Sequence, residues 1–225
     1  MAASQAPAGA AAVDGPLLGF VAGYVDTLCF IGLFGLFTAH VTGNFVLIGR
    51  ALVQPNHDIL LKLLVFPVFV LFVGLTRALV LRWQRLGAPA LRNCMLLQLL
   101  LLLAGAALGW LAAPSARPGA PGVLLTGMVC AAAMAVQNAY GKLLMPGGAA
   151  TTVMTGNVTQ LVIELVDWLR GHDGAPARAA VLCWPVLAFA GGAVAGAYVF
   201  VLCGFAGLLL PALLLARLAW RRGDS

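Results

Sequence analysis

Charge is what this sequence lacks. Of its 225 residues, 13 are Lys or Arg and 7 are Asp or Glu, only 9% together. Soluble domains carry about a quarter charged residues. That scarcity excludes a soluble globular domain and a solvated disordered chain. Cysteine is also sparse: Cys29, Cys94, Cys130, Cys183 and Cys203 are scattered through apolar stretches. None lies in a CxxC or zinc-ligand spacing, so a disulfide scaffold and a zinc module are excluded, and the thiols read as small packing groups. HExxH and GxSxG patterns are missing, as is any paired acidic motif on one helix face. No enzyme chemistry, cofactor or metal is therefore expected.

What the chain does have is apolar length. Hydrophobic residues make up 62% of it, and the mean hydropathy is +1.01. A bilayer needs roughly 20 apolar residues per helical span, and only helices or closed barrels satisfy their backbone within lipid. The reading is an all-α integral membrane protein. The formal charge of +6 falls in short loops, where it orients the chain rather than binding nucleic acid.

Met1 to Pro16 is rich in Ala, Gly, Ser and Pro and lacks a basic n-region followed by an apolar run. It reads as a disordered tail over residues 1–16, not a signal peptide. Apolar runs follow at Leu17–Leu36, Ile59–Leu81, Cys94–Ala113 and Val123–Met145, with about two more across Ala179–Gly223. Two further helices open at the Thr-Gly-Asn motifs; the first, ending near Val53, is too short to span comfortably, and the second runs to about Leu169.

The chain repeats itself. Thr42-Gly43-Asn44 recurs as Thr155-Gly156-Asn157, 113 residues later. Thr38-Ala39-His40-Val41 aligns with Thr151-Thr152-Val153-Met154, and Asp26 falls opposite Asn138 after one gap. Phe66-Pro67-Val68 with Gly74 matches Trp184-Pro185-Val186 with Gly192. Repeat 1 covers 17–113 and repeat 2 covers 122–220, within a single membrane domain. If each short helix dips in and returns, each half crosses three times and the halves are inverted. Ten basic residues then lie inside and three outside (Arg50, Lys62, Arg117), in accord with the positive-inside rule. The expectation is about six transmembrane helices plus two re-entrant ones, in a cell inner membrane, with both termini cytoplasmic. Seven or eight full spans is the alternative.

Asp26 sits in the first span, where a carboxylate costs roughly 2.5–3.5 kcal/mol or more. Such a residue faces the interior and has a partner. Asn138 and His40 are the expected ones; histidine changes charge near neutrality. Thr42 and Thr155 read as caps on helix starts inside the membrane, leaving the glycines for close approach and Asn44 and Asn157 as donors and acceptors. Two such starts from opposite faces would meet near the midplane. The candidate solute site is therefore Asp26, His40, Thr42, Gly43, Asn44, Gln137, Asn138, Thr155, Gly156 and Asn157. Asp14 reads as tail, and Glu164 and Asp167 as a solvated face. Gly15, Gly19 and Gly23, like Gly192 and Gly196, read as close helix packing.

The motifs Gly19-Phe-Val-Ala-Gly-Tyr-Val-Asp26, Thr38-Ala-His-Val-Thr-Gly-Asn44, Gln137-Asn138 and Thr151-Thr-Val-Met-Thr-Gly-Asn157 resemble those of the bacterial YoaK-type membrane proteins, from about Pro16 to Arg221. The resemblance implies a multi-pass inner-membrane protein and brings no substrate and no catalytic residues with it. From the residues, the leading function is a transporter or channel for a small polar or anionic solute, proton-coupled through Asp26. The alternative is a non-transporting structural or partner-binding membrane protein. The expected partners are the lipid bilayer and an unknown small solute, with room left for a homo-oligomer.

Overall fold

The computed structural model describes residues 8–54, 59–113, 117–145 and 150–222. Every regular element among them is helical. Four helices form the first half: α1 (Ala8–Gly32), α2 (Val41–Val53), α3 (Ile59–Arg85) and α4 (Ala90–Ala112). Four form the second: α5 (Pro121–Leu144), α6 (Met154–Leu169), α7 (Ala175–Cys203) and α8 (Leu209–Arg221). A 3-10 turn, Gly204–Leu208, joins α7 to α8.

Among the described residues, five stretches are long and apolar enough to cross a bilayer: Asp14–Gly32, Ile59–Arg85, Ala90–Ala112, Pro121–Leu144 and Ala175–Arg221. The last is 47 residues long and breaks at Gly204. There the backbone takes φ +56°, a conformation that only glycine adopts cheaply. The 13 residues of α2 reach only about 20 Å at 1.5 Å each, short of a core about 30 Å thick. Pro67 and Pro185 lie inside α3 and α7, as membrane helices tolerate.

The expected tail of residues 1–16 is corrected in part. Residues 1–7 lie outside the described residues, but α1 begins at Ala8. Tertiary contacts override the loop-like composition: Asp14 is buried and bound by Arg222, and Gly15 lies against Pro185.

The helices pack in a fixed pattern. α1 lies along α7, and α3 along α5; α2 packs on α3, and α6 on α7; α4 packs on α5 and α8, and α8 also touches α1. The small-residue stripes do the work expected of them. A Cβ at Gly23 would sit 2.1 Å from the Phe189 carbonyl oxygen, one at Gly192 2.2 Å from that of Phe20, and one at Gly196 2.4 Å from that of Tyr24. α1 and α7 thus run in the same direction with backbones nearly touching. The buried core includes Leu18, Tyr24, Leu28, Met95, Leu102, Met134 and Tyr140.

Candidate functional site: a carboxylate anchoring a helix start

α1 ends at Gly32, and the chain turns sharply there. Phe34 and Gly35 both take positive φ, +55° and +78°. For phenylalanine that conformation costs on the order of 1–3 kcal/mol and persists only where neighbours hold it. Lys62, buried on α3, donates from Nζ to the Phe34 carbonyl at 3.2 Å. The turn sends residues 36–40 back along α1 as far as Asp26.

Asp26 is 4% exposed and organises this returning loop. Its Oδ1 accepts from the backbone N–H of Thr38 and of Ala39, both at 2.7 Å, and from Thr38 Oγ1 at 3.3 Å. Its Oδ2 lies 2.7 Å from Nδ1 of His40. A carboxylate with this many partners is held well in low dielectric. The expected Asp26–His40 pair is present.

Asn44 closes the loop from the other side. Its Nδ2 donates to the Phe37 carbonyl at 2.7 Å, and the Phe37 N–H donates to its Oδ1 at 3.0 Å. Thr42 is not the cap that the spacing suggested. His40 occupies the N-cap position and α2 starts at Val41, with no side-chain cap bond. The donors just ahead of the helix go to Asp26 instead. Gly43 leaves room for the Phe37 ring, whose Cδ2 would be 2.8 Å from a Cβ there. A shallow, open cleft of about 320 Å³ lies over this arrangement, lined by Asp26, Thr27, Phe37, His40, Thr42, Gly43 and, from α7, Phe189.

A neutral arrangement surrounds Gln137 on α5. Gln137 donates from Nε2 to Thr151 Oγ1 at 3.1 Å and to the Leu18 carbonyl at 2.9 Å. Its Oε1 accepts from Gln98 Nε2 at 2.8 Å, and Tyr140 donates to Gln98 Oε1 at 2.8 Å. Asn157 reaches back to the Ala150 carbonyl at 2.6 Å, as Asn44 does to Phe37. In both cases the partner lies seven residues earlier.

This geometry corrects the expected pairing of Asp26 with Asn138. Asn138 is half-buried, and its side chain hydrogen-bonds none of the described residues. Gln137 takes the role instead, because it contacts the loop threonine that corresponds to Thr38. Gln98 went unremarked in the sequence, although it stands alone among the leucines of α4; one polar residue in such a run was the available signal. Thr155 does not cap α6 either, since Val153 is at the N-cap. Thr155 and Gly156 are exposed. α2 and α6 make no contact with each other, so the two Thr-Gly-Asn segments form separate sites and do not meet.

Two acidic residues read as solvated are buried and paired. Asp14 binds Arg222 through Nε at 3.0 Å and also through the terminal guanidinium nitrogen. Glu164 accepts from Arg178 Nε and Gln160 Nε2, each at 2.8 Å. Asp167 is half-buried beside the exposed His172. Among the described residues, no three His, Cys, Asp or Glu side chains cluster as metal ligands.

No curated protein and no solved structure matches the chain. The family described as "Protein of unknown function (DUF1275)" matches over residues 15–220, consistent with the YoaK-type resemblance. A polytopic helical chain, with its paired loops anchored by Asp26 and Gln137, thus belongs to this family of unknown function.

Proposed function

We propose that the protein is a non-enzymatic transporter or channel of the cell inner membrane that moves a small polar solute, coupled to protons through Asp26 and His40. One observation carries this reading. A buried carboxylate, carried by a helix long and apolar enough to cross a bilayer, holds the loop that starts α2 beside an open cleft. Asp26 is six residues from the end of α1, about 9 Å inside it at 1.5 Å per residue. Intramembrane carboxylates of this kind mark solute or proton paths.

An inverted duplication supports the reading. Exchanging the two halves maps part of the packing onto itself: α1 on α7 becomes α5 on α3, and α2 on α3 becomes α6 on α7, whereas α3 touches α4 and α7 does not touch α8. The directions fit inversion. Gly127, early in α5, lies against Leu33 and Leu36 just beyond the end of α1. Gln137, late in α5, bonds Leu18, early in α1. α3 begins where α1 ends, by the Lys62–Phe34 contact, so α2 dips in and returns. Asp14 and Arg222 meet, so the described ends of the chain share one face, and the positive-inside rule supports a cytoplasmic placement for it. Such inverted repeats with broken helices are a transporter architecture.

Of the two solute classes, the anionic one is disfavoured. Asp26 already meets the donors ahead of α2, and a second negative charge beside it would be repelled. The rival reading, a non-transporting membrane protein, draws on the Gln98–Gln137–Tyr140 cluster, whose members satisfy one another as interhelical glue. Proteoliposomes loaded against a panel of polar solutes separate the two. Solute flux that Asp26→Asn removes is the expected outcome; no flux across the panel favours the rival.

A further inference from the structure

We propose that the cleft at Asp26 takes a small alkylammonium cation, which exchanges with the proton carried by His40. The assignment rests on the cleft being the solute site and names its ligand class.

The charge balance leads there. Oδ1 of Asp26 is saturated by three donors from Thr38 and Ala39. Oδ2 has one partner, His40. The other lining side chains, those of Thr27, Thr42, Phe37 and Phe189, are neutral. A buried carboxylate needs a cation beside it. The described residues supply no other at this oxygen: Lys62 on α3 bonds the Phe34 carbonyl, Arg50 lies toward the far end of α2, and the α7 segment around Phe189 is apolar. His40 is therefore the protein's own counter-cation, and only when protonated.

The surroundings suit an ammonium group in its place. The His40 ring is steeply tilted to those of Phe189 and Phe37, with centroids 5.5 Å and 6.1 Å away. Aromatic rings attract small organic cations through their faces. The His40 side chain is 28% exposed while that of Asp26 is 5% exposed, so the imidazole is the member of the pair with room to leave. In the exchange, the imidazolium gives its proton to water and the neutral ring withdraws from Oδ2. An ammonium N–H then donates to that oxygen. One cation replaces one proton, and the site keeps zero net charge.

Equilibrium titration of the detergent-purified full chain tests this, with methylammonium chloride as probe, acetate and urea as controls, and bulky N-methylglucamine as background cation. Saturable methylammonium binding is expected at about pH 8, with apparent Kd rising at least about tenfold on acidification to about pH 5.5, because protons compete for the site. Asp26→Asn abolishes it. His40→Gln, which leaves Asp26 in place, gives binding with the same Kd at both pH values. That variant keeps the test sharp if Asp26→Asn fails to fold. No methylammonium binding at the higher pH, binding of acetate in its stead, or undiminished pH dependence in His40→Gln overturns the proposal. Binding without flux in proteoliposomes sinks the transport reading alone, and flux of an anion sinks the cation assignment alone.

Discussion

Gly191 and Gly192 are neighbours in α7 with opposite surroundings, and they offer a controlled test of the α1–α7 contact. A Cβ at Gly191 meets nothing within 4 Å. A Cβ at Gly192 would lie 2.2 Å from the Phe20 oxygen, 2.9 Å from its carbonyl carbon and 3.0 Å from its Cα. All three atoms are backbone, so no side chain can swing aside. Bringing 2.2 Å to the 3.0 Å that marks the tightest real contacts requires α1 and α7 to part by about 0.8 Å. Overpacking of this order costs about 1–3 kcal/mol. The gain in helix propensity from Gly to Ala, about 0.5–1 kcal/mol in water, is shared by both variants and cancels in their comparison. For a chain of this size, 1 kcal/mol moves Tm by about 2–4 °C. Gly192→Ala should therefore melt about 2–12 °C below Gly191→Ala in the same detergent. Equal melting, or the reverse order, would refute the claim that backbone contact sets the spacing of these helices.

Asp26→Asn keeps an acceptor for Thr38 and Ala39 and loses the ionic partner of His40; it should cost about 1–2 kcal/mol as charge-assisted bonds become neutral ones. Asp26→Ala, which strands two buried N–H groups, should cost more, and thermal melting ranks the two. Gln137→Leu leaves Gln98 and Thr151 short of a partner and should destabilise by about 1–3 kcal/mol, read as earlier unfolding in denaturant; Gln98→Leu with Gln137→Leu should cost less than the sum of the single changes. In a cysteine-free background, a thiol at Gln84 should be labelled only from inside and one at Arg117 only from outside; both labelled from one face would exclude the six-span inverted topology.

Helix positions were legible without coordinates, because they follow from a local balance. Lipid offers backbone groups no partners, so each apolar run closes its own hydrogen bonds, and polar or Gly/Pro breaks end it. The short helices opening near Thr42 and Thr155 and the burial of Asp26 followed from run length and from the cost of a charge in hydrocarbon. The periodic glycines likewise announced close packing.

Only the tertiary structure decided which polar groups meet. Gln137, not its neighbour Asn138, faces the loop at Thr151, because one step along α5 turns a side chain about 100° and moves it from interior to edge. Asp14 and Arg222 stand 208 residues apart, and no pattern along the chain pairs them. Glu164 resembles a surface residue until α7 brings Arg178 against it. A side chain's chemistry and its depth in the membrane are properties of the local sequence; its partner depends on how helices from different parts of the chain cross, and that is settled by packing.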